Sequence, residues 1–316
     1  MKISVLDAAT LGEGISLDAL SKHGEVTIYD STTQENLISH CAGADVLVLN
    51  KVRITKDVLI AAPSVKLICV TATGYDNIDV AAAKERGVAV ANVPAYSTSS
   101  VALYTLATVT ALVTHIREYN KYVIDGSYTA SGVANKLSPI YHEIAGMTWG
   151  IIGYGNIGRA VGAVAEALGA RVIVNKRTPI EGATRVGIEQ LCRESDIITI
   201  HCPLNANTRE MINSRTISLM KKSVIIVNEA RGAVVNESDI ADAVEQGRIG
   251  GFGSDVYTVE PIPAEHPYTR IMHRENVLLT PHAAWGSLEA RIRCVNVVSE
   301  NITAFINGKT KNRVDI

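Results

Sequence analysis

The stretch Gly150-Ile-Ile-Gly153-Tyr-Gly155-Asn156-Ile157-Gly158-Arg159 constrains this chain more than any other. It closes an apolar run, Thr148 to Ile152, and opens an alanine-rich run with helical character, Arg159 to Leu168. Strand, glycine turn and helix in that order form the context in which G-x-G-x-x-G holds a dinucleotide. Gly153 allows the tight turn, Gly155 lets the backbone approach a pyrophosphate, and Gly158 lets the helix pack close to the strand. The helix start at Asn156 and Ile157 offers N–H groups and a positive dipole end to phosphates. The turn lies near residue 150, so something else must fill the first half of the chain.

Composition narrows the choice further. A length of 316 residues suits about two domains. Apolar residues make up 47% of the chain, enough for a large core, and a formal charge of −2 argues against a nucleic-acid surface. The five cysteines, Cys41, Cys69, Cys192, Cys202 and Cys294, are odd in number and widely spaced. They suggest neither a disulfide framework nor a metal site, and free thiols fit a reducing cytoplasm. The opening Met1-Lys-Ile-Ser-Val-Leu-Asp7 reads as a strand rather than a signal peptide, so a cytoplasmic location is expected. Val101 to Val113 is the longest apolar stretch. It is broken by threonines and too short for a bilayer, so a buried helix is expected and no membrane partner.

Short β-rich runs alternate with helical patterns. The first set is Ile3–Leu6, Val26–Tyr29, Val46–Leu49, Leu67–Val70 and Val88–Ala91, with helical stretches at 16–23, 33–40 and 80–86. The second set is Thr148–Ile152, Val172–Asn175, Ile197–Ile200, Val224–Asn228, Gly251–Val256 and Val277–Leu279, the six strands of a dinucleotide-binding sheet. This alternation calls for α/β architecture with parallel sheets covered by helices. Val93 to Ser100 reads as a polar crossing between domains, and 287–305 as a helix that could return to the first domain. Residues 117–147 fit neither sheet. They carry Tyr119, Tyr122, Tyr128 and Tyr141, and read either as an arm that buries itself against a second subunit or as a surface loop with one helix.

Three polar motifs follow predicted strand ends, where an open α/β sheet faces its ligand. They are Asn228-Glu229-Ala230-Arg231-Gly232, Asp255 with Glu260-Pro261, and Pro281-His282-Ala-Ala284-Trp285. Together they suit a redox site. Hydride transfer needs a matching proton at the substrate oxygen, and histidine titrates near neutrality. His282 is the candidate, with Glu260 orienting the imidazole. Arg231 offers the fork geometry that binds a substrate carboxylate. Asp255 could accept a hydrogen bond from a nicotinamide carboxamide. Taken singly, His282 also reads as a turn residue, Arg231 as a strand-end group paired with Glu237, and Glu260 as a solvated acid.

With these residues the chain resembles the D-isomer-specific 2-hydroxyacid dehydrogenase family. The resemblance extends to Val70-Thr-Ala72-Thr73-Gly74-Tyr-Asp-Asn77, Arg86-Gly87 through Pro94, and His201-Cys-Pro203-Leu204 with Thr208. It implies two doubly wound parallel-sheet domains, a Rossmann-type cofactor domain inserted into a flavodoxin-like substrate domain. The expected substrate domain is 1–97 plus 288–316, and the expected NAD(P)-binding domain is 98–287 with a dimerisation arm at about 117–147. The family's catalytic Arg, Glu and His fall on Arg231, Glu260 and His282. Cofactor contacts are expected from Gly153, Gly155, Asn156, Ile157, Gly158, Asn175, Lys176, Arg177, Thr178, His201, Pro203, Thr208, Glu229, Ala230, Arg231, Asp255, His282 and Ala284. Substrate contacts are expected from the backbone of Ala72, Thr73 and Gly74, and from Arg231, His282 and Trp285. The partners implied are a small 2-oxo or 2-hydroxy acid and a second copy of the chain.

Trp285 followed by Glu289-Ala290-Arg291 is similar to the glycerate dehydrogenase, or hydroxypyruvate reductase, branch. Two positions depart from the family pattern. NAD-using members end the second cofactor strand with an acid that holds the ribose hydroxyls, and Lys176 stands there, beside Arg177. Loss of the acid and gain of cations favour a 2′-phosphate, so NADP is expected over NAD. Leu103 and Tyr104 replace the glutamate and the histidine or glutamine common in the family. The expected activity is reduction of hydroxypyruvate or glyoxylate to D-glycerate or glycolate. A D-lactate-type or broad-range 2-oxo acid reductase, and a non-enzymatic NAD(H)-sensing corepressor-like protein, stay open.

Overall fold

A computed structural model describes residues 1–179 and 181–316. The chain divides into two compact units, Met1–Ser97 with Trp285–Ile316, and Thr98–Ala284. The second crossing therefore falls before Trp285 rather than after residue 287, which gives Trp285 to the first unit.

The first unit is built on β1 (Lys2–Val5), β2 (Glu25–Ile28), β3 (Val46–Leu49), β4 (Leu67–Val70) and β5 (Ala89–Ala91). All pairs are parallel, in the order β2-β1-β3-β4-β5. Strands β3 and β4 are buried on both faces, which is why VLVL and LICV read as unbroken apolar runs. One face is covered by the helix Leu288–Ile306 through Ala290, Cys294, Val298 and Ile302, so the chain's end supplies core to its beginning. The helices expected at 16–23 and 33–40 are much shorter, Asp18–Ser21 and Leu37–Cys41. In the second, the Thr33 N–H donates to Asn36 Oδ1 at 2.7 Å, a local turn that competes with helix.

The second unit holds β6 (Thr148–Ile152), β7 (Arg171–Asn175), β8 (Thr184–Arg185), β9 (Ile197–Ile200), β10 (Ile225–Asn228), β11 (Gly251–Ser254) and β12 (Val277–Leu279). Their order is β12-β11-β10-β9-β6-β7-β8, so the sheet has seven strands where six were expected. The extra strand, β8, is two exposed residues and carries no hydrophobic signal. The order reverses at β6, between β9 and β7, which is the topological switch point.

The helix Thr98–Thr114 packs on this sheet, with Val109, Leu112 and Val113 in its core. Gly253 makes room for it, since a Cβ there would come within 2.5 Å of Thr108. Its threonines do not break it, because the Thr105 hydroxyl donates to Val101 O at 2.7 Å. Among the described residues no single helix is long and apolar enough to cross a membrane. In the 117–147 segment, helices Ile116–Ile124 and Ser127–Ser131 bury no residue.

Candidate active site

Three loops at the carboxyl ends of β10, β11 and β12 are locked together by buried polar groups. A fully buried asparagine, Asn228, ends β10. Its side chain accepts from the Ala230 N–H at 3.1 Å and donates to Arg231 O at 3.0 Å, which fixes the turn that projects Arg231. Arg231 donates from Nη1 to Ala230 O at 2.8 Å. Gly232 lies against the next loop. A Cβ there would sit 2.0 Å from the Tyr257 carbonyl carbon, so any side chain would force the two loops apart.

Asp255, 1% exposed, follows β11. One of its oxygens accepts from the Thr280 hydroxyl at 2.7 Å and the Ala283 N–H at 2.8 Å, the other from the Ala284 N–H at 2.8 Å. These bonds hold the 280–284 turn and, within it, His282 at φ 54, the left-handed region a histidine seldom occupies. Three donors of the protein thus already bond the Asp255 carboxylate, which gives it a structural duty in this turn.

His282 Nδ1 lies 2.7 Å from Glu260 Oε2, and the other Glu260 oxygen accepts from the Tyr257 N–H at 3.1 Å. The two side chains are 22% and 28% exposed, so the pair is formed yet still reachable. The Tyr257 hydroxyl donates to Thr280 O at 2.7 Å, and burial raises its pKa, which keeps it a neutral donor. Arg231, Glu260 and His282 thus stand on loops after three adjacent strands of one unit. Glu237 pairs not with Arg231 but with His266, at 2.9 Å.

The glycine turn follows β6 at the switch point. Gly153 has φ 89, donates to Asn175 O at 2.9 Å, and leaves 2.5 Å between an added Cβ and Cys202 N. At Gly158 a Cβ would meet Gly153 O at 2.2 Å, so only glycine lets the helix Asn156–Ala167 start this close. Around Gly155 an added Cβ would meet nothing within 4 Å, which leaves its backbone facing open space. A glycine cradle beside a 12-residue helix start, with open space before it, fits a pyrophosphate.

Lys176, Arg177 and Thr178 follow β7, Lys176 half-buried and the others exposed. Two of the expected cofactor residues make hydrogen bonds within the protein. Asn175 Nδ2 donates to Val186 O at 3.1 Å, and the Thr208 hydroxyl donates to Pro203 O at 2.7 Å and accepts from the Asn205 N–H at 2.8 Å. His201 and Glu229 follow the paired strands β9 and β10. Their ring nitrogens and carboxyl oxygens are buried and have no hydrogen-bond partner among the described residues. Burial pushes the His201 imidazole down to about 3. Burial, and then the Asp255 charge, raises the Glu229 carboxyl well above the usual range, so burial disfavours the charged form of both groups. Ala230 and Ala284 are buried beside them.

In the first unit, the loop after β4 is pinned through its carbonyls. Val93 N–H donates to Ala72 O at 2.9 Å and Asn92 Nδ2 to Thr73 O at 2.7 Å. Trp285 packs edge-on against Tyr96 with ring centroids 6.2 Å apart.

Sequence reasoning did not assign Asn228, Tyr257 or Thr280, whose bonds build the site. Asn228 did carry a signal, because a polar residue ending a buried parallel strand must find partners for its amide.

A glycine-turn parallel sheet whose strand ends carry an arginine and a glutamate–histidine pair is the equipment of a nicotinamide-dependent oxidoreductase. The family model for the D-isomer specific 2-hydroxyacid dehydrogenase NAD binding domain matches residues 106–284, and the chain belongs to that family. It is 34% identical to a hydroxypyruvate reductase of Blautia hydrogenotrophica, over 100% of both chains. It is 37% identical to a glycerate dehydrogenase of Methylorubrum extorquens, over 91% of both. Among solved structures it is similar to an acyclic imino acid reductase in complex with NADPH and D-Arg, with a TM-score of 0.89 and 29% identity over 99% of this chain and 100% of that one.

Proposed function

We propose that this chain reduces hydroxypyruvate or glyoxylate to the D-2-hydroxy acid, and catalyses the reverse, with NADPH preferred over NADH. The single observation that carries the reading is the 2.7 Å contact between His282 and Glu260 on the strand ends that also bear Arg231. The similarity to a hydroxypyruvate reductase and a glycerate dehydrogenase supports the substrate class.

When bound, the reduced nicotinamide supplies the hydride. Arg231 binds the substrate carboxylate and polarises the carbonyl. Glu260 fixes the Nδ1–H tautomer of His282, so Nε2 is the nitrogen that gives the proton to the carbonyl oxygen and takes it back in oxidation. The glutamate's charge also stabilises the imidazolium that must be present before reduction. Backbone N–H groups of Ala72, Thr73 and Gly74, and the Trp285 ring, are the contacts proposed from the first unit.

Lys176 and Arg177 support the NADPH preference, because two cations after β7 attract a 2′-phosphate where an acid would repel it. The NADPH bound by the similar imino acid reductase structure is compatible with this. Exposed apolar side chains in the 116–141 segment, with Ile124 at 76%, Leu137 at 77% and Ile140 at 76%, support a homodimer formed through this arm.

The test is a panel of glyoxylate, hydroxypyruvate and pyruvate assayed with NADPH and NADH in parallel. Turnover of hydroxypyruvate or glyoxylate well above pyruvate is the expected result. No turnover of any of the three would refute the reading.

A further inference from the structure

The loop after β3, Asn50-Lys51-Val52, is held with unusual thoroughness. Asp7, 6% exposed, spends its carboxylate on three consecutive backbone N–H groups of this loop: Asn50 at 2.8 Å, Lys51 at 2.7 Å and Val52 at 3.2 Å. From the other side the Asn77 amide donates to Asn50 O at 3.1 Å and Val52 O at 2.8 Å. A buried carboxylate is costly unless its lone pairs are filled, and here every donor that fills them comes from one loop. The clamp leaves no backbone N–H of residues 50–52 for a ligand. What the loop presents outward is the exposed side chain of Lys51.

Position gives that lysine its meaning. In a sheet of order β2-β1-β3-β4-β5 the ligand crevice lies outside the carboxyl ends of the strands, at the switch between β1 and β3. Asp7 follows β1 and Lys51 follows β3, so the clamp spans that switch. The same clamp ties Lys51 to the loop after β4. Asn77 belongs to that loop, Thr71 N–H donates to Leu49 O at 2.8 Å, and Ile54 bridges Ile78. Three to five residues before Asn77 lie Gly74, Thr73 and Ala72, the backbone already proposed to meet the substrate carboxylate. The two loops tied together by this clamp thus carry a cationic side chain and the N–H groups proposed to meet one anion.

We propose that Lys51 is a substrate-binding residue that pairs with the carboxylate of the 2-oxo acid, and that Asp7 and Asn77 are the residues that position it. The proposal rests on the reading of Ala72–Gly74 as a carboxylate site. A charge on a clamped loop differs from a mobile surface lysine in that little ordering entropy is lost when the anion arrives, apart from that of the lysine side chain itself.

The test compares Lys51→Met and Lys51→Arg with the wild type on glyoxylate, pyruvate and hydroxypyruvate at saturating cofactor. NADPH binding is measured separately by fluorescence, without substrate. Lys51→Met should raise KM by about tenfold to hundredfold, the worth of one charge-assisted hydrogen bond. The rise should be similar for all three acids, because all share the carboxylate. The kcat should change much less, NADPH affinity should not move, and Lys51→Arg should recover most of the loss. Wild-type KM values in Lys51→Met would overturn the proposal. So would a loss confined to hydroxypyruvate, which would put Lys51 on the 3-hydroxyl group instead. A wild type inactive on all three acids would instead sink the functional reading itself.

Discussion

His282 and Glu260 form a contact of 2.7 Å between Nδ1 and Oε2, and the second Glu260 oxygen is held by the Tyr257 N–H. The carboxylate is thus fixed before it fixes the imidazole. Two consequences can be separated. His282→Ala removes the proton donor and should lower kcat by about 100- to 10,000-fold. Glu260→Gln keeps the size of the side chain but removes the charge that stabilises the imidazolium, and should cost less. Both variants should leave NADPH binding largely intact in a fluorescence titration. Near-normal turnover of His282→Ala would remove this residue from the mechanism.

Lys176 offers a direct handle on cofactor choice. It follows β7, where dinucleotide sheets that use NAD commonly place an acid on the ribose hydroxyls. Lys176→Asp should restore that acid and repel a 2′-phosphate. The ratio of kcat/KM for NADPH to that for NADH should fall by about tenfold to hundredfold, as expected for one charge-assisted contact exchanged for a repulsion. A wild type that uses NADH as well as NADPH would contradict the premise.

Much of the second unit was legible because its central strands are buried on both faces. Thr148–Ile152 and Ile197–Ile200 are buried throughout, and they and the half-buried Val277–Leu279 are strands that the structure reproduces residue for residue. Strand β8 was illegible for the opposite reason. Thr184 and Arg185 are exposed and owe their pairing to the neighbouring β7, not to any pattern of their own. At the site, types and order pointed to Arg231, Glu260 and His282. The bonds that aim them were not legible, because they are tertiary. Asp255 meets Thr280, Ala283 and Ala284 only after β11 and β12 have paired. The same holds for Asp7 and the Asn50–Val52 loop, which lie 43 to 45 residues apart.

The arm gives a test of association. Leu137 and Ile140 are 77% and 76% exposed in the single chain, an arrangement that loses free energy unless something covers it. Leu137→Asp combined with Ile140→Asp should shift the protein from dimer to monomer in light scattering. The fold should survive, since these side chains pack into no core. A wild type that runs as a monomer at micromolar concentration would refute the dimer.

The paired strand ends of β9 and β10 make the last prediction, about acid stability. His201 titrates near 6.5 when unfolded and at about 3 when folded, because burial disfavours the imidazolium. Between those values the unfolded chain binds a proton that the folded chain does not. Its contribution is therefore fully present above pH 6.5 and is lost as pH falls towards 3, at about 1.4 kcal/mol per pH unit. Glu229 acts in the opposite sense. Its raised folded value means the folded state holds the extra proton, so it adds stability as pH falls, and the two slopes oppose one another in the wild type. His201→Gln separates them, because Glu229 is common to both proteins. Measured by urea unfolding without cofactor, the variant's stability relative to the wild type should rise as pH is lowered from 6 to 5, by about 1 kcal/mol. An unchanged difference across that range would show that His201 takes up its proton in the folded state as readily as in the unfolded one.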